Sequence, residues 1–261
     1  MNCISTKNLN ISYGNLDIVK NLNLDIPKGK ITTIIGSNGC GKSTILKTIA
    51  RIIQPKSGDI YVNDKNMKEQ NPNDLAKTMA VLPQSPTAPS GLTVEELIAY
   101  GRFPHQKGFG KLKKEDKHIV TWALKSTGIE EFRDRPMEDL SGGQRQRAWI
   151  AMALAQQTDI LILDEPTTYL DLAHQLEVLK LLEKLNKNQG TTIVMVIHEL
   201  NNAARFADHM IGVKKGEVVC QGSAYEVMTK ENLRELFNID AEIVSDPRTK
   251  KPVCITYDMV I

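Results

Sequence analysis

The chain has 261 residues, with 33 Lys and Arg against 31 Asp and Glu for a formal net charge of +2; it is 41% hydrophobic and 25% charged. That length supports one large α/β domain or two small ones, and the near-balanced charge gives no support for nucleic-acid binding by bulk electrostatics. No apolar run approaches the ~20 residues of a membrane span, and four scattered cysteines, Cys3, Cys40, Cys220 and Cys254, argue against disulfides or a cysteine metal site.

Residues 1–7 lack the basic and apolar regions of a signal peptide, which points to the cytosol. Alternation predicts strands over 4–13 and 18–26, joined by a Gly14-Asn15 turn. A β-branched run at 30–35 reads as a buried strand, residues 36–44 as a glycine loop and 45–50 as a helix. After a break at 55–58 come a strand at 59–62, a polar turn at 63–65, a helix capped by Asn71 and a short strand at 79–83, ending at Gln84.

Strand signals then vanish from 85 to 157. A Thr93/Glu96 capping box opens a helix over 93–100, and a loop follows at 101–110. An amphipathic helix spans 113–127 with Ile119, Trp122, Ala123 and Leu124 inward, and another spans 142–157. Strand character returns at 160–165. A helix over 171–188 carries Leu176, Leu179, Leu182 and Leu185, and a strand over 191–197 ends at His198. A helix at 200–207, a hairpin around Lys214-Lys215-Gly216, helices at 224–229 and 230–237 and a hairpin over 241–257 complete the chain. The expected fold is α/β in one domain. Segments 1–84 and 158–261 form a core with an antiparallel β subdomain, and 85–157 form an inserted α-helical subdomain.

The loop Gly36-Ser37-Asn38-Gly39-Cys40-Gly41-Lys42-Ser43-Thr44 has the phosphate-binding spacing G-x-x-x-x-G-K-[ST]. Its glycines let the backbone curl close to an anion, and the following helix N-terminus adds about half a positive charge. Lys42 is placed to reach the outer phosphates and Ser43 to ligate Mg²⁺. Asp164-Glu165 puts two carboxylates at a strand tip. Such a tip is common by itself, but beside a phosphate loop it reads as a metal ligand followed by a group that polarises water. Leu140-Ser141-Gly142-Gly143-Gln144 opens a helix. Ser141 is a good N-cap, and the same geometry makes a second anion-binding helix terminus. Two phosphate cradles for one triphosphate point to a site completed by another molecule.

The ordered set Gly36–Ser43, Gln84, Leu140–Gln144, Ile160–Glu165 and His198 resembles the ATP-binding subunit of an ABC transporter over essentially the whole chain. The resemblance implies a P-loop NTPase core with ATP and Mg²⁺ as cofactors. It implies that Tyr13 stacks on adenine, that Gln84 contacts Mg²⁺ or the attacking water and senses the membrane subunit, and that Asp164 is a second Mg²⁺ partner. It further implies Glu165 as catalytic base, Asp171 as an interface aspartate and His198 as the histidine that contacts the γ-phosphate. Ser141, Gly142, Gly143 and Gln144 of one copy would complete the nucleotide site of the other in a head-to-tail homodimer.

Three positions depart from the family pattern: Glu199 after His198, Tyr169 for a small residue, and Cys40 in the loop, with a thiol expected where alkylation obstructs the nucleotide. The implied partners are integral-membrane permease subunits, docking on the helical insert at about 85–135, and, indirectly, an extracytoplasmic substrate-binding protein, with no nucleic acid. The implied location is peripheral, on the cytoplasmic face of the membrane. The stretches 93–97, Gly101-Arg102-Phe103-Pro104-His105, 144–147 and 167–171 resemble importers of ferric siderophores, haem and cobalamin, and 101–105 leans to ferric siderophores. Haem or cobalamin import, a soluble ABC ATPase acting on DNA or ribosomes, and an exporter are the alternatives. The absence of a second cassette, heptads, clustered cysteines or a fused membrane domain disfavours the last two.

Overall fold

Hydrophobic periodicity accounts for most of the elements in the computed structural model, which describes residues 1–106 and 112–260. The chain forms two compact units, Met1–Gln70 with Thr192–Ile261, and Asn71–Thr191. The first unit begins with β1 (Asn2–Tyr13), β2 (Leu16–Leu22), β3 (Asp25–Pro27), β4 (Ile31–Ile35), α1 (Lys42–Ile49), β5 (Ser57–Val62) and β6 (Lys65–Asn66). The second holds α2 (Pro72–Thr78), β7 (Met79–Leu82), α3 (Val94–Tyr100), α4 (Lys114–Thr127), α5 (Gly142–Ala155), β8 (Ile160–Asp164) and α6 (Leu172–Gln189). The chain then returns to the first unit with β9 (Thr192–Val196), α7 (Leu200–Phe206), β10 (His209–Lys214), β11 (Glu217–Gly222), α8 (Ala224–Val227), α9 (Lys230–Phe237), β12 (Ile239–Ser245) and β13 (Pro252–Met259).

In the first unit an antiparallel sheet runs β2-β1-β5-β6, with β3 also on β1. The strand expected over 18–26 is therefore two strands. Asn21 has a φ of 49°, and the Asn23 side chain accepts from the Asn8 N–H at 2.9 Å and donates to the Asn21 carbonyl at 3.0 Å. These local bonds compete with the ladder. The Thr6 hydroxyl bridges the gap, donating to the Leu22 carbonyl at 3.0 Å and accepting from the Leu24 N–H at 3.1 Å.

Beside it, β10 and β4 run parallel, as do β4 and β9, and β11 closes the β10 edge as a hairpin. Every residue of β4 and β9 is buried, as parallel strands covered on both faces require. β12 and β13 form a separate hairpin.

In the second unit β7 and β8 pair in parallel, Met79 with Ile160 and Leu82 with Leu163. No strand occurs among the described residues of 85–157, as the sequence predicts. The Thr93/Glu96 capping box forms. The buried stripe of α4 is Asp116, Val120, Ala123, Leu124 and Thr127, rotated from the expected one because Ile119 and Trp122 are only half-buried.

Asp116 is buried because it meets Arg102. The Arg102 guanidinium donates to Asp116 Oδ1 at 2.9 Å, the Ala155 carbonyl at 2.6 Å and Gln157 Oε1 at 3.1 Å. A Cβ on Gly101 would stand 2.1 Å from the Met152 carbonyl, and His105 Nε2 lies 2.8 Å from the Gln156 carbonyl. Gly101, Arg102 and His105 thus fasten the end of α3 to the end of α5. The rest of the expected 101–110 loop, residues 107–110, lies outside the described residues.

Candidate functional site

The glycine loop leaves β4 and enters α1, as its sequence predicts. Gly36, Gly39 and Gly41 have φ values of 152°, 75° and 105°, a conformation that suits glycine. Gly36 also meets a steric limit, since a Cβ there would lie 2.2 Å from the Val213 carbonyl oxygen. Gly41 is the N-cap of α1. Ser37, Asn38 and Gly39 are exposed, while Ser43 and Thr44 sit half-buried in the first helical turn.

The Lys42 ammonium curls into the loop and donates to the Gly36 and Ser37 carbonyls, both at 2.9 Å. Its charge is thereby held where the loop amides converge. Cys40 is buried within the loop, 5% exposed, and its backbone also contributes. Its carbonyl accepts from the Gly216 N–H at 2.8 Å, and the β10–β11 turn thereby braces the loop.

Strand register places His198. Ile34 of β4 faces Val196 of β9. Two residues further along each strand are Gly36 and His198, which therefore emerge at the same edge of the sheet, with His198 exposed. Tyr13 ends β1 at 51% exposure, just before the Gly14 turn.

The same rule operates in the second unit. Leu82 of β7 faces Leu163 of β8, so Gln84 and Glu165 come out side by side. The Gln84 amide donates to Glu165 Oε2. The same oxygen accepts from the Thr168 hydroxyl at 3.0 Å. Asp164, at the tip of β8, is 2% exposed.

Ser141 and Gln144 form a capping box: Ser141 Oγ accepts from the Gln144 N–H at 3.3 Å, and Gln144 Oε1 accepts from the Ser141 N–H at 3.0 Å. The loop before them is pinned by Arg145, whose guanidinium donates to the Leu140 carbonyl at 3.0 Å. Gly142 is exposed. Gly143 is buried against the His174 ring, with 2.7 Å between His174 Cδ2 and a Cβ placed there. Asp171 caps α6 through the His174 N–H at 2.9 Å and meets the His174 ring nitrogen at 2.8 Å. Those bonds, the backbone one first, hold its carboxyl below the usual carboxylate range. Asp171 and the 141–144 turn are thus joined through one imidazole.

Sequence reasoning assigns no role to Thr168, His174 or Gly216. Each acts by touching a motif residue. Thr168 enters only within the 167–171 stretch, and Gly216 only in the Lys214-Lys215-Gly216 turn.

Residues 19–168 match the ABC transporter family. The chain belongs to that family. It is 63% identical over 260 residues, 100% of this chain and 97% of the relative, to the "Iron(3+)-hydroxamate import ATP-binding protein FhuC" of Bacillus subtilis (strain 168). It is 42% identical to the "Ferric enterobactin transport ATP-binding protein FepC" of Escherichia coli (strain K12), over 95% of this chain and 91% of the relative. Among solved structures it superposes, with a TM-score of 0.74 and 32% identity, on the dimeric post-hydrolysis state of the ATP-binding cassette MJ0796 bound to ADP and Pi, covering 84% of this chain and 98% of that one. Membership makes the chain an ATP-binding ABC ATPase with the α/β P-loop cassette fold that the sequence predicts. Among the described residues, no helix is long and apolar enough to cross a membrane.

Proposed function

We propose that this ABC ATPase energises import of a ferric siderophore of the hydroxamate class through a membrane permease. The observation that carries the reading is the 63% identity, spanning 100% of this chain, to an import ATPase named for iron(3+)-hydroxamate. Two copies close head to tail. Each ATP lies between residues 36–44 of one copy and Ser141–Gln144 of the other, with Asp171 at the interface and Tyr13 on the adenine. Lys42, released from its loop carbonyls, meets the outer phosphates. His198, on the same sheet edge, contacts the γ-phosphate. Glu165 takes the proton of the attacking water.

Ser43, Gln84 and Asp164 supply a hydroxyl, an amide and a carboxylate, an all-oxygen set of the kind Mg²⁺ takes. With its nitrogen turned to Glu165, Gln84 presents its carbonyl oxygen as the end that suits a cation. When bound, Mg²⁺ neutralises the phosphate charge that develops in transfer.

Permease subunits dock on the helical unit, fed from outside by a substrate-binding protein, which places the chain peripherally at the cytoplasmic face. A cavity of about 330 Å³ lined by Pro86, Ala88, Met137, Glu138, Arg145 and Trp149 supports that reading. Its rim joins the segment after Gln84 to the segment before Ser141, because the Glu138 carboxylate accepts from the Gly91 N–H at 3.0 Å.

Deletion of the gene with plasmid rescue tests the function. Uptake of radiolabelled ferric hydroxamate should collapse on deletion and return with the wild-type chain but not with Glu165→Gln. Unchanged uptake of ferric hydroxamates with loss of haem or cobalamin uptake would refute the cargo.

A further inference from the structure

Glu165 stands in an unusual place. It follows directly on β8, is 8% exposed, and has a φ of 54°, in the left-handed region where a residue with a Cβ is disfavoured. A carboxylate in that position is held by its surroundings rather than by its own backbone preference. The chain turns at Pro166 and comes back at Thr168, which grips Glu165 at both ends. The Thr168 N–H donates to the Glu165 carbonyl at 3.3 Å, and the Thr168 hydroxyl donates to Glu165 Oε2 at 3.0 Å.

We propose that Thr168 is the positioning residue for Glu165 in ATP hydrolysis, a role that rests on the reading of Glu165 as the base. The carboxylate has a second donor, the Gln84 amide, on the same oxygen. Gln84, however, is exposed and sits two residues beyond its strand, and the proposed function draws it to the metal, the water and the permease. A side chain that must move cannot also be the fixed reference for the base. Thr168 belongs to the turn that carries Glu165, so its hydroxyl travels with the carboxylate and keeps it aimed when Gln84 leaves. The β-branch of threonine restricts χ1 and keeps that hydroxyl in place at small entropic cost.

The test compares Thr168→Val, which keeps shape and removes the hydroxyl, with Thr168→Ser, which keeps the hydroxyl. The smaller Thr168→Ala is a second deletion that cannot overpack. Thr168→Val and Thr168→Ala should lower kcat about 10- to 100-fold, as misplacement of a reacting group does. KM for ATP and the affinity for a fluorescent ATP analogue should stay at wild-type values, because the lost hydrogen bond runs to Glu165 and not to the loop proposed to hold the nucleotide. Thr168→Ser should recover most of the rate. In a Glu165→Gln background, where steady-state turnover is lost, Thr168→Val should leave the residual single-turnover rate unchanged, since the group it positions is gone. Wild-type kcat in both deletion variants, equal impairment in Thr168→Ser, or a further drop in the Glu165→Gln background would overturn the proposal. Turnover that survives Glu165→Gln would instead overturn the assignment of the base, so the two failures are distinguishable.

Discussion

Arg102 offers the sharpest energetic test of the helical unit. Its side chain and that of Asp116 are 5% and 10% exposed, so the pair is buried. Replacing Arg102 with Met keeps the aliphatic stem and strands the Asp116 carboxylate away from water. Removing one member of a buried pair costs about 3–5 kcal/mol. At about 2–4 °C per kcal/mol for a chain of this size, that is a fall in Tm of roughly 10 °C. The Arg102→Met/Asp116→Leu double variant removes both charges. It should recover most of the loss and retain a deficit of about 1 kcal/mol, because Asp116 Oδ2 also accepts from the Lys113 N–H at the start of α4. The chain has 2 tryptophans, Trp122 on α4 and Trp149 on α5, so urea unfolding followed by tryptophan fluorescence reads this unit directly. A loss below about 1 kcal/mol for the single variant, or a double variant no better than the single one, would refute the buried-pair argument.

Glu165→Gln should abolish steady-state ATP turnover while preserving ATP binding and accumulating an ATP-trapped dimer by size-exclusion chromatography; near-wild-type hydrolysis would sink the base. Gly143→Ala drives a Cβ into the His174 ring and should cost about 1–3 kcal/mol in unfolding free energy. Adding His174→Ala should restore stability, and a double variant as unstable as Gly143→Ala would show that the ring is not the obstacle. His209, on β10, is held below its usual pKa chiefly by burial, with Glu226 and Asp25 opposing. The native state keeps it neutral and the unfolded chain protonates first, so its contribution is complete above about pH 6.5 and is lost as pH falls below that. Tm should therefore drop more steeply between pH 7 and 5.5 in the wild type than in His209→Gln, and parallel curves would refute this.

The sequence carried the motif residues because each is local. The glycine spacing, the capping box at Thr93, the N-cap at Ser141 and the acidic strand tip are decided within a few residues, and each forms as predicted. What failed was tertiary. The 18–26 strand broke because Asn23 found Asn8, 15 residues away. The stripe of α4 rotated because Asp116 found Arg102. The stretch 101–105 also makes tertiary contacts that its residues alone do not announce, fastening the end of α3 to the end of α5.

The capping box at Ser141 leaves the first turn of α5 suited to an anion. The Gln144 side chain is committed to the Ser141 N–H, and Ser141 Oγ accepts from the Gln144 N–H. Both bonds tighten the first turn of α5, where the backbone dipoles already favour an anion. The Ser141 hydroxyl accepts in this bond, so its own hydrogen can donate to a phosphate without breaking the cap. Gly142 is exposed and offers close approach of backbone, whereas Gly143 is spent on the contact with His174. The two glycines therefore answer to different constraints, one facing solvent and one facing the interior. Because Asp171 holds His174 and the His174 ring packs on Gly143, Asp171 and the 141–144 turn are joined by direct contact.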